Sequence, residues 1–373
     1  MKKILLITRP ISPPWDEASK NFAYFIAKNI QDVEMNLMSK VGETLPKLPQ
    51  NAVQHGIYTT SEIAEFNLQQ KLRSIYFQFI SRGKYDINHY FFTPTWLNSF
   101  LIKNFLTKKS SKTIQTVATL REDIWTNEDL KNLLFADLII TYSDYAKNKL
   151  NELGYENVRR IYPGIDLEKY KPQPKDITTL EHFGIKNDET VIIYPGEYVR
   201  LGATDNIVNS LPELFKQIPN AKFIFANRVK NEADAKKKEE VVFKLKEFNI
   251  FEKVTFTDTF SDMPKIYNIA DIVIFPVADM KGKFDVPLAV IEAMACEKPV
   301  IISDLPILKE FASSDNSVII ETGNNEQMIC EIVRLSNNKE VCQKIGQAAR
   351  IFAQENFDIN QVAQKYEEIY KNF

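Results

Sequence analysis

The chain has 373 residues, 44% of them apolar, and its 47 basic and 49 acidic residues leave a net charge of -2. That length favours two domains over one core, and the apolar share is ample for both. The charge balance argues against a dedicated nucleic-acid binder, which would carry a basic excess. The cysteines Cys296, Cys330 and Cys342 are too few and too unpatterned for a disulfide framework or a metal cage, and they read as residues of a reducing, cytoplasmic setting.

The N-terminal MKKILLITRP carries only four consecutive apolar residues before Arg9 and Pro10, so it reads as a first β-strand rather than an export signal. No run approaches the 18 or so apolar residues that a spanning helix needs. Strands are predicted at 4–8, 33–37, 87–92, 113–117 and 138–141, with helices at 19–29, 64–79, 96–105 and 144–152. Such alternation implies an α/β fold with a parallel sheet covered on both faces. The stretch 154–164, GYENVRRIYPG, adds a short strand and a turn. Order is then lost between 165 and 190, where Pro172, Pro174 and the charges of KPQPKD mark an exposed connection. Alternation restarts with strands at 191–194, 222–226, 254–257, 272–275 and 300–302. Helices are expected at 203–217, 232–248, 263–268, 288–296, 325–335 and 339–353. The domains are therefore expected at 1–165 and 166–355, with a last helix in 356–373 crossing back to the first.

The segment 270–304 is the most informative. An apolar strand runs into a polar loop, then into a helix that carries Glu292 among Ile291, Ala293, Met294 and Ala295, and a second strand follows at once. Asp285, Val286 and Pro287 precede or open that helix, and proline suits a first turn, where its missing N–H is no loss. The free amides and dipole of the helix start, with Leu288 at its head, favour an anion such as a diphosphate. Glu292, about one and a half turns in, is placed to accept both hydroxyls of a ribose. The loop PGEYVRLGATD spends Gly196 and Gly202, two of only 11 glycines, where backbone can approach a ligand, and Arg200 can pair with phosphate oxygens. Arg228 and Lys230 follow the next strand and offer the same charge. The competing readings are ordinary turns with solvated cations and, for Glu292, a charge on an exposed helix face.

These residues carry a resemblance. YPGIDLEKYKP at 162–172, VTFTDTFSDMPKIYNIADIVIFP at 254–276 and PLAVIEAMACEKPVIISD at 287–304 are similar, in order and spacing, to the GT4 family of retaining glycosyltransferases (glycosyl transferases group 1). The resemblance implies the GT-B fold, two Rossmann-like doubly wound domains facing a deep cleft. It further implies hexosyl transfer from a nucleotide-diphosphate sugar, UDP- or GDP-linked, with no metal and no other cofactor. In that reading Glu292 binds the donor ribose, and the diphosphate lies against the helix start and the basic loop residues. A glycan, lipid-linked or small-molecule acceptor would sit on the N-terminal domain, and the product would belong to polysaccharide or glycoconjugate synthesis.

The departures are as informative. Phe284 stands where the family has a second glutamate, so either Asp285 substitutes as the carboxylate near the sugar or the donor contacts are rearranged. Glu197 occupies the usual arginine position, leaving Arg200 as the nearest replacement; the glutamate is expected to point away from the phosphates. The first-strand loop RPISPPWDEASKN replaces a diglycine and offers Trp15, Asp16, Glu17 and Lys20 as acceptor contacts. The family histidine after the strand at 113–117 is missing, and His89, in YDINHYFF, is the nearest catalytic candidate. The catalytic set is thus Asp285, His89 and Arg200. The same losses fit a catalytically impaired nucleotide-sugar-binding protein or partner subunit, or a related enzyme such as an epimerase or phosphorylase. Finally, 71–84 and 101–112 interleave basic and apolar residues in a way that suits peripheral contact with an anionic bilayer at the inner face of the plasma membrane, although surface helices of soluble domains look alike.

Overall fold

The computed structural model describes residues 1–13, 15, 17–62, 65–92, 95–108, 110–260 and 262–373. It divides into two compact units, Met1–Gly164 with Asp358–Phe373, and Ile165–Phe357. Strands β1 (Lys3–Ile7), β2 (Glu34–Lys40), β3 (Ala52–Tyr58), β4 (Ile87–Tyr90), β5 (Lys112–Val117), β6 (Leu138–Thr141) and β7 (Val158–Arg160) build the first sheet. The second is built by β8 (Thr190–Tyr194), β9 (Ala221–Phe225), β10 (Val254–Phe256), β11 (Ile272–Phe275), β12 (Val300–Ser303) and β13 (Val318–Ile320). The helices of the first part are α1 (Ala18–Asn29), α2 (Leu68–Ser81), α3 (Trp96–Leu101), α4 (Asn127–Leu133) and α5 (Asp144–Glu152). They are followed by α6 (Ile177–His182), α7 (Thr204–Gln217), α8 (Glu232–Glu247), α9 (Met263–Ile269) and α10 (Leu288–Ala295). The last three are α11 (Asn325–Ser336), α12 (Lys339–Asn356) and α13 (Ile359–Asn372).

The sheet orders are β3-β2-β1-β4-β5-β6-β7 and β10-β9-β8-β11-β12-β13, and the pairings are parallel. Both are doubly wound Rossmann-like sheets, and the chain has the GT-B fold. In each, the strand order reverses between the first strand and the fourth, so β1 lies beside β4 and β8 beside β11. Loops leaving neighbouring strands on opposite sides of that reversal open a crevice at their carboxyl ends. The central strands are short runs of branched aliphatic residues because both sheet faces are covered: Val191, Ile192 and Ile193 have no exposure, nor do Ile272, Val273 and Ile274.

Several elements differ from the sequence expectation for local reasons. Strand β3, AVQHGIY, has no apolar run because it is an edge strand with one half-exposed face. Helix α4 is short, but a capping box between Thr126 and Asp129 marks its start. The helix expected at 64–79 begins at Leu68, where the Asn67 side chain accepts from the amides of Gln69 and Gln70; Ala64 lies outside the described residues. The helix expected at 96–105 is α3 followed by a π-helical turn, Ile102–Leu106. Helix α13 belongs to the first unit and packs along α1.

The end of α10 is built with care. Glu297 takes a left-handed conformation, φ 61°, at a position where glycine is usual. The amides of Glu297 and Lys298 return to the carbonyls of Met294 and Ala293, and Pro299 then forbids further helix. Arg350 of α12 donates to the Ala295 carbonyl at 2.7 Å and to the Tyr170 carbonyl at 2.8 Å, tying the helix end to residue 170.

Candidate active site

Three loops of the second unit converge where its strand order reverses: 195–203 after β8, 226–231 after β9 and 276–287 after β11. Their meeting point is Glu197. It is 5% exposed, and its carboxylate pairs with Arg200, Nε to Oε2 at 2.7 Å and Nη2 to Oε1 at 2.8 Å. Lys230 and Lys283 pair with the same carboxylate. Arg200 also donates from Nη1 to the Gly282 carbonyl at 3.0 Å, which stitches the first loop to the third. Burial by itself would raise the pKa of Glu197, but Arg200, Lys283 and Lys230 outweigh it and hold the carboxyl well below the usual range. Burial pushes Lys283 down to about 8, against the pull of Glu197. Three cations on one anion leave an excess of positive charge at a partly solvated place, which is an environment for a polyanion.

Two polar atoms in the same loops, Asn227 Nδ2 and Tyr198 Oη, are buried with no hydrogen-bond partner among the described residues. A water or ligand oxygen would relieve such a state, which otherwise costs about 1–3 kcal/mol. The Asn227 Oδ1 is engaged, accepting from the Gly196 amide at 2.9 Å.

The third loop runs directly into α10. Pro287 is the N-cap of that helix rather than a first-turn residue, and no side chain caps the start. Glu292, the fifth residue of α10, accepts from the Tyr267 hydroxyl at 3.0 Å. Tyr170 also hydrogen-bonds it, so two phenols flank one carboxylate, that of Tyr267 buried and that of Tyr170 on a half-buried residue. The residue keeps some exposure, yet burial of its carboxyl raises the pKa to about 7 despite both phenols, so the group is poised near neutrality. Tyr170 and Tyr267 were not singled out from the sequence, and neither was Lys283. Lys283, two residues after Lys281 in the same loop, has no local signal; only the loop's return to Glu197 distinguishes it.

The remaining candidates fall as follows. Glycine is required at 196 because a Cβ would stand 2.0 Å from Cζ of Tyr194, and at 202 because φ is +66° and a Cβ would meet Ala278 at 2.9 Å. Both are packing demands within the unit. Leu288 is half-buried at the head of α10, Asp285 is 4% exposed two residues before its cap, and Arg228 is exposed after β9. The expectation that Glu197 points away meets a different arrangement: it is buried and holds the cations together. His89 lies in β4 of the first unit with no exposure. Its Nδ1 is 2.6 Å from the Tyr370 hydroxyl and its Nε2 2.8 Å from Thr116 Oγ1. Burial lowers its pKa well below the ordinary value, so the ring is neutral and committed on both edges.

The first unit has a cavity of about 290 Å³ at the carboxyl ends of β1, β3 and β4. Thr8, Arg9, Tyr58, Lys71, Gln78 and Phe92 contribute to its wall. Of the loop that replaces the diglycine, Glu17 caps α1 by accepting from the Lys20 amide at 2.9 Å, and Trp15 stacks on Tyr24 at 4.6 Å. Lys20 is fully buried, while Asp16 lies outside the described residues. Among the described residues no group of three or more His, Cys, Asp or Glu side chains is arranged to hold a metal ion.

Residues 177–352, most of the second unit, match the family model for glycosyl transferases group 1. The chain is 21% identical over 303 residues to N-acetyl-alpha-D-glucosaminyl L-malate synthase of Bacillus anthracis, covering 78% of this chain and 75% of that one. Among solved structures it is similar to HepE of Anabaena in complex with UDP and glucose, with a TM-score of 0.76, 16% identity and full coverage of both chains. It is equally similar to sucrose-phosphate synthase of Thermosynechococcus elongatus, with a TM-score of 0.76, 16% identity and coverage of 100% and 98%.

Proposed function

We propose that this chain, whose residues 177–352 match the family model for glycosyl transferases group 1, is a glycosyltransferase of GT-B fold that transfers a hexosyl group from a nucleotide-diphosphate sugar with retention of configuration. The observation that carries the reading is the cluster of Arg200, Lys230 and Lys283 on Glu197, in the loops that lead to the uncapped start of α10. The diphosphate would lie against these cations and the amides of α10, which together stabilise the charge that develops on the leaving group. The ribose diol would donate to Glu292, displacing or sharing the phenols of Tyr267 and Tyr170. UDP is the first donor nucleotide to test, since HepE was solved with UDP; GDP is the second. The acceptor in this reading is a glycan, a lipid-linked sugar or a small molecule. His89 has no part in this reading, its two nitrogens being held in the core of the first unit.

The pKa directions define a window. Glu292 must be ionised to accept two hydroxyls, and its pKa is about 7; Lys283 must be protonated to meet phosphate, and its pKa is about 8. Affinity for UDP is therefore expected to rise from pH 6 toward 7.5 and to fall again above pH 8, as calorimetric titration across that range will measure. A flat profile would remove both groups from the site, and no binding of UDP or GDP at any pH would overturn the donor assignment.

Asp285 is placed near the transferred sugar in this reading, as the carboxylate beside Phe284. Asp285→Asn should leave UDP affinity within about threefold while lowering the rate of sugar release from the donor by about tenfold or more. Equal rates in the two proteins would take Asp285 out of the reaction. Tight UDP binding with no transfer to any glycan, lipid-linked or small-molecule acceptor would favour the second reading, a nucleotide-sugar-binding subunit, for which Phe284 in place of a glutamate is the supporting feature.

A further inference from the structure

We propose that the outer faces of α2 and α3 dock this chain on an anionic lipid surface. Helix α2 carries a second apolar stripe on its outer face: Ile75 and Phe77 pack inward beside the buried Gln70, Gln78 and Ser81, whereas Leu68, Leu72, Tyr76, Phe79 and Ile80 are 46–67% exposed. Those five recur at three- and four-residue intervals, which places them on one stripe of the helix. Helix α3 repeats the pattern, burying Ser99 and packing Leu101 on the core while Trp96, Leu97 and Phe100 stay 55–63% exposed. The π-helical turn that continues α3 packs against α2, and Arg82 donates to the Phe105 carbonyl across that contact at 3.2 Å. The two helices therefore form one surface, and their other sides help to wall the cavity of the first unit. A contiguous apolar surface on the outside of a folded unit marks a place where something binds.

Charge selects the occupant. Residues 68–85 contain Lys71, Arg73, Arg82 and Lys84, residues 95–112 contain four more lysines, and neither stretch has an Asp or Glu. In a chain of net charge -2 this is a strong local asymmetry. A second copy applied to the same face would bring like charges together. Anionic headgroups would instead meet the cations while the aromatic and aliphatic side chains enter the interfacial layer, where Trp and Tyr are at home. Among the described residues no helix is long and apolar enough to cross a membrane, so the contact lies flat on the surface.

The inference depends on the first unit alone and stands apart from the donor reading. The test is flotation of the full chain with vesicles of phosphatidylcholine alone and with vesicles that also contain phosphatidylglycerol. The protein is expected to float with the second at low salt and to be released at high salt. A variant with Arg73→Glu and Lys84→Glu, and another with Leu72→Ser and Phe79→Ser, should each lower vesicle partitioning at least tenfold. The circular dichroism spectrum and melting temperature, measured on the same preparations, should not change in either variant, which shows that they are folded. Absence of flotation, or equal flotation of the variants, would overturn the proposal. So would a solution dimer by light scattering that the Leu72→Ser, Phe79→Ser variant dissociates, because the face would then be covered by a second copy.

Discussion

Glu292→Gln is expected to make the protein more resistant to heat at pH 8 and at least tenfold weaker for its nucleotide. The carboxyl pKa is about 7 in the folded chain against an ordinary 4.5. The folded state therefore holds a proton between those values that the unfolded state has released, so stability falls as pH rises from about 4.5 to about 7 and the deficit is complete above that. A shift of that size corresponds to roughly 3 kcal/mol at most, and an amide, still able to meet the two phenols, should recover about 1–2 kcal/mol of it. In a unit of this size that is a rise of a few degrees in Tm. At pH 5 the difference should nearly vanish, since the wild-type carboxyl is then neutral too. The affinity loss follows from replacing a charged acceptor of two hydroxyls by a neutral one, about 1.5–3 kcal/mol. Thermal melts at pH 5 and pH 8, with UDP titrations of the same samples, check both halves. A variant that is no more stable at pH 8 would show that the carboxylate is not strained there, and unchanged affinity would move the ribose elsewhere.

Glu197→Gln should move the alkaline limb of nucleotide binding to lower pH and cost about 1–3 kcal/mol of stability at neutral pH. Lys283 already has its pKa pushed down to about 8 by burial, and Glu197 is what opposes that push. Without the carboxylate, Lys283 gives up its proton nearer neutrality, and Arg200 loses the two bonds that aim it. The stability cost has the opposite pH dependence to that of Glu292. The Glu197 pKa is depressed, so its contribution is present above the ordinary carboxylate range and is lost as pH falls below it. The figure lies below that for breaking a fully buried pair because the three cations remain 29–44% exposed. Lys283→Met should abolish the alkaline limb and weaken UDP about tenfold while leaving uridine binding unchanged. Titrations from pH 6 to 9 with UDP and with uridine decide the matter. An alkaline limb unmoved by Glu197→Gln would mean that the glutamate does not set the charge of Lys283.

The fold was legible because its information is local. Runs such as VIIY at 191–194 and IVIF at 272–275 are short, branched and apolar, as buried parallel strands must be, and the helices between them keep a 3.6-residue period. Elements stabilised by something other than burial were harder to see. Strand β3 is held at a sheet edge with a polar face, and α4 is marked by its cap more than by apolar spacing. The apolar spacing of α2 is clear in the sequence, but period alone does not say which way a stripe faces, and here one stripe faces outward.

The candidate site divides along the same line. Arg200, Lys230 and Glu292 were readable from their places after strands and inside one helix. The role of Glu197 was not, because its sign is set by partners that strand order brings to it. Arg200 reaches a carbonyl 82 residues away only because β8 pairs with β11, although three strand–helix steps separate them in the chain. What the sequence by itself determined is the series of elements, the doubly wound class and the helix that presents Glu292, since propensity, caps and hydrophobic period act over a few residues. Which charges share a pocket, which phenols press on a carboxylate and which face of α2 meets solvent were decided by tertiary structure. Electrostatic and desolvation energies depend on distances in space, and those are fixed only once the sheet order is.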